Sequence, residues 1–439
     1  MRLSWPHMPG VPGRPATASS TEPLLRAIGT LGLAAAIVNI TVGGGIFRLP
    51  ASVAQSLGAA APVAYLVCAV AMGLIVLCIA DAGSRVPQTG GPYAYIGVAL
   101  GPYAAFLSGV LLWMLGLFAT AAVATLFALS VGGLVPTLAA YQPAVLVAAF
   151  VFWTLVNLRG VALGTRLNTI ATIAKLLPLL LIAVGGLFYV RADHLAVPAW
   201  PSAADVARMS LLLVFAFAGV ESALAPSGEV RDTARTVPRA IGVAMLGITV
   251  LYISLQLSAQ GILGGALATS PTPLADAAGA AFGGWARSLL LAGASISMFG
   301  YLGGMTLAIP RVVFALARDG YLPRPLGAVH PVHRTPQAAI VVQAMLALAL
   351  AVSGTFEPLA MLANAAALAL YLGCVVAAWR LRVTSAGDGG STLPLARIAP
   401  FLAVPVILWL LTGLTRSEWI AFGGCLAAAS VVYLIASRR

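Results

Sequence analysis

The chain has 439 residues, of which 61% are hydrophobic and only 8% charged, with a mean hydropathy of +1.00 and a formal net charge of +12. A soluble domain is roughly a quarter charged. These figures exclude a water-soluble enzyme, a nucleic-acid binder and a disordered chain, and leave a polytopic helical membrane protein. The basic residues lie singly between apolar runs, with no dense patch, so membrane topology rather than nucleic acid accounts for the charge.

Taken in chain order, residues 1–25 are rich in Pro, Ser, Thr and Gly and lack the apolar core of a signal peptide; they are expected to be a disordered cytoplasmic tail. A bilayer-spanning helix needs about 20 apolar residues. Charges and Pro/Gly clusters then divide the rest into about twelve spans, over 27–55, 58–80, 95–131, 142–160, 165–190, 206–227, 238–262, 286–316, 336–353, 358–380, 397–414 and 418–437. With the N-terminus placed in the cytoplasm and the spans alternating, Arg48, Arg191, Arg208, Arg287 and Arg416 fall outside. Lys175, the only lysine, falls within a span, and every other arginine falls inside. This bias is the positive-inside pattern, with both termini cytoplasmic. Cys68, Cys78, Cys374 and Cys425 all lie in apolar runs and read as small core residues, with no disulfide framework and no metal site.

Two spans are interrupted. The first contains Thr41-Val42-Gly43-Gly44-Gly45 and then Ile46 to Pro50; the sixth contains Phe215 to Ser222, with Gly219 at mid-depth. Glycine costs about 1 kcal/mol in a helix interior relative to alanine. A lone glycine in a membrane helix usually serves close packing, and three in succession point instead to a broken helix. The two breaks open successive sets of five spans. That arrangement points to an inverted-repeat transporter with its site at the breaks. The expected division is 26–192 for the first repeat, 203–383 for the second and 396–437 for two further helices.

These segments resemble the amino acid–polyamine–organocation (APC) permease superfamily. Val42 to Pro50 is similar to that family's first-helix motif, and Arg85 to Tyr95 (RVPQTGGPYAY) to its loop between helices 2 and 3. Phe215 to Ala223, followed by Ser227 to Ala240, is similar to helix 6 and the loop after it, and Arg311 to Pro336 to the loop after helix 8. The resemblance implies a five-plus-five, leucine-transporter-like inverted repeat with discontinuous helices 1 and 6, in the cytoplasmic (inner) membrane, as a monomer or homodimer. Its implied partners are an amino acid and the lipid bilayer, without a cofactor and without enzymatic activity. The leading expectation is a secondary transporter of small neutral amino acids that is independent of sodium and either proton-coupled or an exchanger. A basic amino acid or polyamine exchanger, such as an arginine/agmatine antiporter, is the alternative within the class, and a transport-inactive amino acid sensor stands behind both.

An α-amino acid brings a carboxylate and an ammonium into low dielectric, and both need partners there. The free N–H groups around Gly43, Gly44 and Gly45 suit the carboxylate. The free carbonyls near Ile40, Thr41, Val42 and Phe215, Ala216, Ala218 and Gly219 suit the ammonium. Motif alignment assigns the side-chain pocket to Trp113, Gly116 and Thr120 on the third span, Phe215 and Ala218 on the sixth and Met305 on the eighth. The arginine/agmatine antiporters carry tryptophan at the positions matching Phe215 and Met305. A smaller ring and a thioether here favour an apolar or neutral side chain. Plain core packing is the competing reading for Phe215 and Met305. Two ionisable groups lie inside spans, Lys175 and Glu221, and such groups are costly enough to be functional by default. Lys175 stands where sodium-coupled relatives of the fold bind sodium, so the resemblance implies a sodium-free coupling role. Glu221 is either a proton-linked switch or a brace for the unwound segment. Asn39, Ser222 and Asn364 are further polar candidates, for the site or for holding helices together.

Overall fold

The computed structural model describes residues 29–86, 92–159, 176–219, 233–384 and 394–438. Among them all regular structure is helical. The helices in chain order are α1 (Thr30–Thr41), α2 (Leu49–Leu57), α3 (Ala61–Arg85), α4 (Pro92–Leu100) and α5 (Pro102–Leu134). Then come α6 (Gln142–Arg159), α7 (Leu176–Tyr189), α8 (Ala203–Phe217), α9 (Thr233–Leu263) and α10 (Pro273–Phe282). The chain finishes with α11 (Gly284–Arg318), α12 (Gln337–Ser353), α13 (Phe356–Thr384), α14 (Pro394–Leu411) and α15 (Arg416–Ala436). Among the described residues, seven helical stretches are long and apolar enough to cross a membrane, the longest being Leu49–Gly83 and Gly284–Arg318; α1, α7, α12 and Arg397–Leu411 are apolar but shorter.

The long helices α5 and α13 are the most deeply buried. α5 packs against α11, α12 and α13, while α9 packs against α1 and α3, and α3 against α8 and α13. Close approach depends on small residues. Gly116 on α5 faces Ile309 of α11, and Gly303 of α11 faces the Trp153 ring of α6, 2.7 Å from where a Cβ would stand. Replacing Gly303 with alanine would overpack that contact, typically at a cost of about 1–3 kcal/mol.

The expected third span is divided. α4 ends at Gly101, whose φ of 93° only glycine adopts without strain, and α5 starts at Pro102. The same device recurs where α10 ends at Gly283, φ 94°, and α11 follows. α10 itself was not anticipated from the sequence. Cys68, Cys78 and Cys374 are buried as expected, but Cys425 is exposed. That corrects its reading as a core residue: α15 is an outer helix with little of its surface covered.

Away from the centre, polar side chains pair. Buried Asp81 at the end of α3 meets Arg382 of α13 at 3.0 Å and Arg85 at 3.4 Å. Arg208 of α8 meets Glu418 of α15 at 3.2 Å and donates to the Gly413 carbonyl at 2.9 Å. Asn364 of α13 donates from Nδ2 to the carbonyls of Leu211 and Leu212 on α8, at 2.8 and 3.1 Å. Of the open functions proposed for Asn364, this contact is the interhelical one.

Candidate functional site: two helix breaks in contact

α1 stops at Thr41 because Val42 leaves helical geometry with ψ 86°, its N–H making the last helical bond, to the Val38 carbonyl at 2.9 Å. Gly43 and Gly44 follow, then a tight turn over Gly45–Phe47, then α2 with Pro50 in its first turn. Proline there has no N–H to leave unsatisfied. The Gly43 and Gly44 N–H groups have no hydrogen-bond partner among the described residues. The Thr41 hydroxyl is also without a partner, on a residue only 2% exposed.

α8 starts on a Ser202 cap that accepts from the Asp205 N–H at 3.1 Å. It stops at Phe217, where Ala218 turns extended (ψ 147°) and Gly219 takes φ 107°. Lys175, Glu221 and Ser222 lie outside the described residues.

The two breaks touch at three places. A Cβ on Gly219 would stand 3.1 Å from the Ile40 side chain and 3.5 Å from its carbonyl oxygen. The Phe215 ring lies over Gly45, 2.7 Å from where a Cβ would stand, and meets Phe356 at the start of α13 edge-on at 5.4 Å. The third tie comes from α9. The buried Tyr252 hydroxyl shares its proton between the Ala216 carbonyl at 2.9 Å and the Thr41 carbonyl at 3.3 Å. One turn on, Gln256 donates to the Pro50 carbonyl at 3.4 Å and accepts from the Tyr65 hydroxyl at 3.2 Å. Tyr252 and Gln256 thus grip the first helix on both sides of its break. Sequence reasoning missed both, because neither sits in a motif.

The other expected residues distribute along α5 and α11. Trp113 donates from Nε1 to Gln343 of α12 at 2.7 Å, Gly116 packs under Ile309, and the Thr120 hydroxyl returns to the Gly116 carbonyl at 2.6 Å. The side chains nearest Gly44 are instead Val123 and Met298, one turn beyond Thr120 on α5 and two turns before Met305 on α11. Met305 is half-buried. Beyond Met298 lies a small, part-open pocket between the start of α2, α5, α10 and α11. Arg48 at the start of α2 hydrogen-bonds the Ser270 carbonyl and feels the charge of Glu357. Among the described residues, the atoms nearest Gly43, Gly44 and Gly45 are the Thr41 carbonyl oxygen and the side chains of Val123, Met298, Phe215 and Leu49.

Unwound helices meeting between long apolar helices define a polytopic membrane protein of the transporter class. The amino acid permease family model matches residues 28–434, and the chain belongs to that family. It is 27% identical to the methylthioribose transporter of Bacillus subtilis (strain 168), over 96% of this chain and 95% of that one. It is 28% identical to the serine/threonine exchanger SteT of the same organism, over 87% and 89%. The branched-chain amino acid permease BcaP, also from that organism, is 26% identical over 97% and 96%.

Proposed function

We propose that the protein is a sodium-independent secondary transporter that carries small neutral amino acids across the cytoplasmic membrane by alternating access, through proton coupling or exchange. The observation that carries this reading is the contact between the two breaks, which brings unpaired Gly43 and Gly44 N–H groups and the unpaired Thr41 hydroxyl beside the freed end of α8. The N–H groups receive the substrate carboxylate. The Thr41 hydroxyl and the carbonyls at Ile40, Thr41 and the end of α8 receive the ammonium. Phe215 closes over the backbone between them.

The architecture supports two related halves in one bundle of twelve crossings. Each half opens on a helix that stops at mid-length and later places a short helix, a glycine near φ 93° and a long helix in series, α4–α5 and α10–α11. Lys175, which the sequence places inside a span, is the coupling group, since an ionisable group within a membrane span is costly enough to be functional by default. The names of two relatives, a serine/threonine exchanger and a branched-chain permease, favour neutral substrates.

Uptake into proteoliposomes tests this, with a panel of amino acids and methylthioribose, with and without a proton gradient, sodium and internal substrate. Uptake of neutral amino acids without sodium is expected. Gly44→Leu, which drives a side chain into Met298 and Val123, is expected to abolish it while the protein still inserts. Lys175→Ala is expected to remove its pH dependence. Uptake of methylthioribose alone would overturn the reading, because that molecule has neither a carboxylate nor an ammonium for the breaks to hold.

A further inference from the structure

The turn Gly264–Thr269 packs on α2, and α10 packs on α11. Ser270 lies between them, at the end of the bundle that the proposed topology makes external. Its hydroxyl donates to one oxygen of Asp276, in the first turn of α10, at 2.6 Å. The other oxygen of Asp276 accepts from the Thr272 hydroxyl at 3.1 Å and from Arg287 Nε at 3.0 Å. Arg287 belongs to α11 and also donates to the Gly133 carbonyl at the end of α5, at 3.2 Å. Bonds to an ionised carboxylate are stronger than neutral ones, so Asp276 fixes Ser270 to the frame of α5, α10 and α11. The carbonyl of Ser270 faces the other way. It accepts from the guanidinium of Arg48, the residue on which α2 starts, while Glu357 of α13 acts on the Arg48 charge. The seam between the start of α2 and the α5, α10 and α11 frame holds a small, part-open pocket. Phe47 and Arg48 line one side of it, Ser130, Thr272 and Ala275 the other. Met298 also lines it and is the nearest side chain to Gly44. The free space is little more than that of a water molecule, so the seam is shut to an amino acid.

We infer that this seam is the outer route to the helix breaks, and that the contact between Arg48 and the Ser270 carbonyl is the bolt that keeps it shut. The inference rests on the proposed alternating access. The pocket runs from Arg48 to Met298, and Met298 abuts Gly44, so the seam leads to the break. Its two walls belong to different bodies. α2 carries the turn Gly264–Thr269 with it, whereas Asp276 and Arg287 hold the far wall to α5 and α11. Ser270 is the joint between these bodies, tied to one by its hydroxyl and to the other by its carbonyl. Opening the seam moves α2 away from α5, α10 and α11 and breaks the Arg48 bond first, because that bond crosses the seam. The Asp276 bonds lie wholly on the far side and survive the movement, so the same carbonyl is presented again when the seam closes. A bond that must be made and broken in each cycle suits a single guanidinium-to-carbonyl contact better than a carboxylate held by three donors.

The test follows a thiol placed in the seam. Ser130→Cys changes one atom, at a pocket-lining residue that is 5% exposed. Cys425→Ser removes the exposed native thiol, and Cys68, Cys78 and Cys374 are buried. The purified full chain in lipid nanodiscs is treated with methyl methanethiosulfonate, a neutral reagent that the Arg48 charge neither attracts nor repels, and the labelling rate is measured. Arg48→Met keeps the stem and loses the bond. It is expected to raise the rate about tenfold, the worth of one hydrogen bond to a charged group. Asp276→Asn loosens Ser270 without touching α2 and is expected to raise the rate by a smaller factor. Arg208→Met breaks the pair with Glu418 between α8 and α15 and is expected to leave the rate unchanged. Arg48→Lys, which keeps the charge and shortens the reach, carries the test where Arg48→Met does not fold, and is expected to fall between Arg48→Met and the wild type. A rate left unchanged by the Arg48 variants, or raised equally by Arg208→Met, would overturn the bolt and leave the transport reading intact. A wild type that takes up no amino acid in proteoliposomes would remove that reading, and the labelling rates would still decide the bolt.

Discussion

Thr41 holds a buried hydroxyl with no partner among the described residues, one residue before the chain leaves the helix. Leaving such a group unsatisfied costs about 1–3 kcal/mol, and valine has the same shape without the cost. The native residue is therefore less stable than its isostere, as expected of a group reserved for a ligand. Thr41→Val is expected to raise resistance to thermal unfolding by about 1 kcal/mol while lowering amino acid uptake about tenfold, the worth of one hydrogen bond to a charged group. The pair of measurements is diagnostic because a merely structural hydroxyl would not move them in opposite directions. Greater stability with unchanged uptake would place the substrate elsewhere. The Phe215 ring makes a complementary case. It is wedged between Gly45 and Phe356, so the contact that core packing describes is also the one through which the proposed closure would act.

At the scale of elements, the problem is to hold two half-finished helices in register without helical hydrogen bonds. α9 does this with a single face. Tyr252 ties the ends of α1 and α8 to each other, and Gln256 ties the start of α2. Tyr252→Phe keeps the ring contacts with Phe217 and Tyr65 and removes only the hydroxyl that donates to the two carbonyls. It is expected to cost about 1–3 kcal/mol of stability and to raise KM for uptake more than it lowers kcat, since the carbonyls proposed to meet the substrate lose their alignment. Equal loss in both constants would assign Tyr252 to the chemistry of transport rather than to positioning.

The breaks themselves are legible in the sequence, because Gly43-Gly44-Gly45 and Pro50 remove helix propensity and a donor over eight residues. The braces are not. Tyr252 acts on backbone carbonyls at 216 and 41, and nothing near it in the chain records that. The facing register of α5 and α11 is hidden for a related reason. Motif spacing reaches Thr120 and Met305, yet a rotation of one or two turns decides which side chain meets Gly44, and tertiary packing selects Val123 and Met298. The division at Gly101 and the short α10 depend on one positive φ each, a signal too small to stand out among 46 glycines.

At the scale of the whole molecule, the net positive charge has two physical origins. Among the described residues most arginines have no acidic partner, and the proposed topology accounts for where they lie. The five placed on the opposite side go against that trend, and four of them are held by local contacts: Arg48 by the Ser270 carbonyl, Arg191 by Asp193, Arg208 by Glu418 and Arg287 by Asp276. An arginine whose charge is matched within the fold exerts little pull on orientation. The unmatched ones then dominate, and the proposed orientation puts both termini in the cytoplasm. Thiol labelling of intact cells checks this, because Cys68, Cys78 and Cys374 are buried and only Cys425 needs replacing, by serine. On that background, Thr269→Cys in the exposed turn between α9 and α10 is expected to react with a membrane-impermeant maleimide added outside. Val332→Cys, 76% exposed between α11 and α12, is expected to react only after the membrane is permeabilised. The reverse pattern would invert the bundle, and reaction of both sites from outside would mean that an odd number of crossings is missing between them.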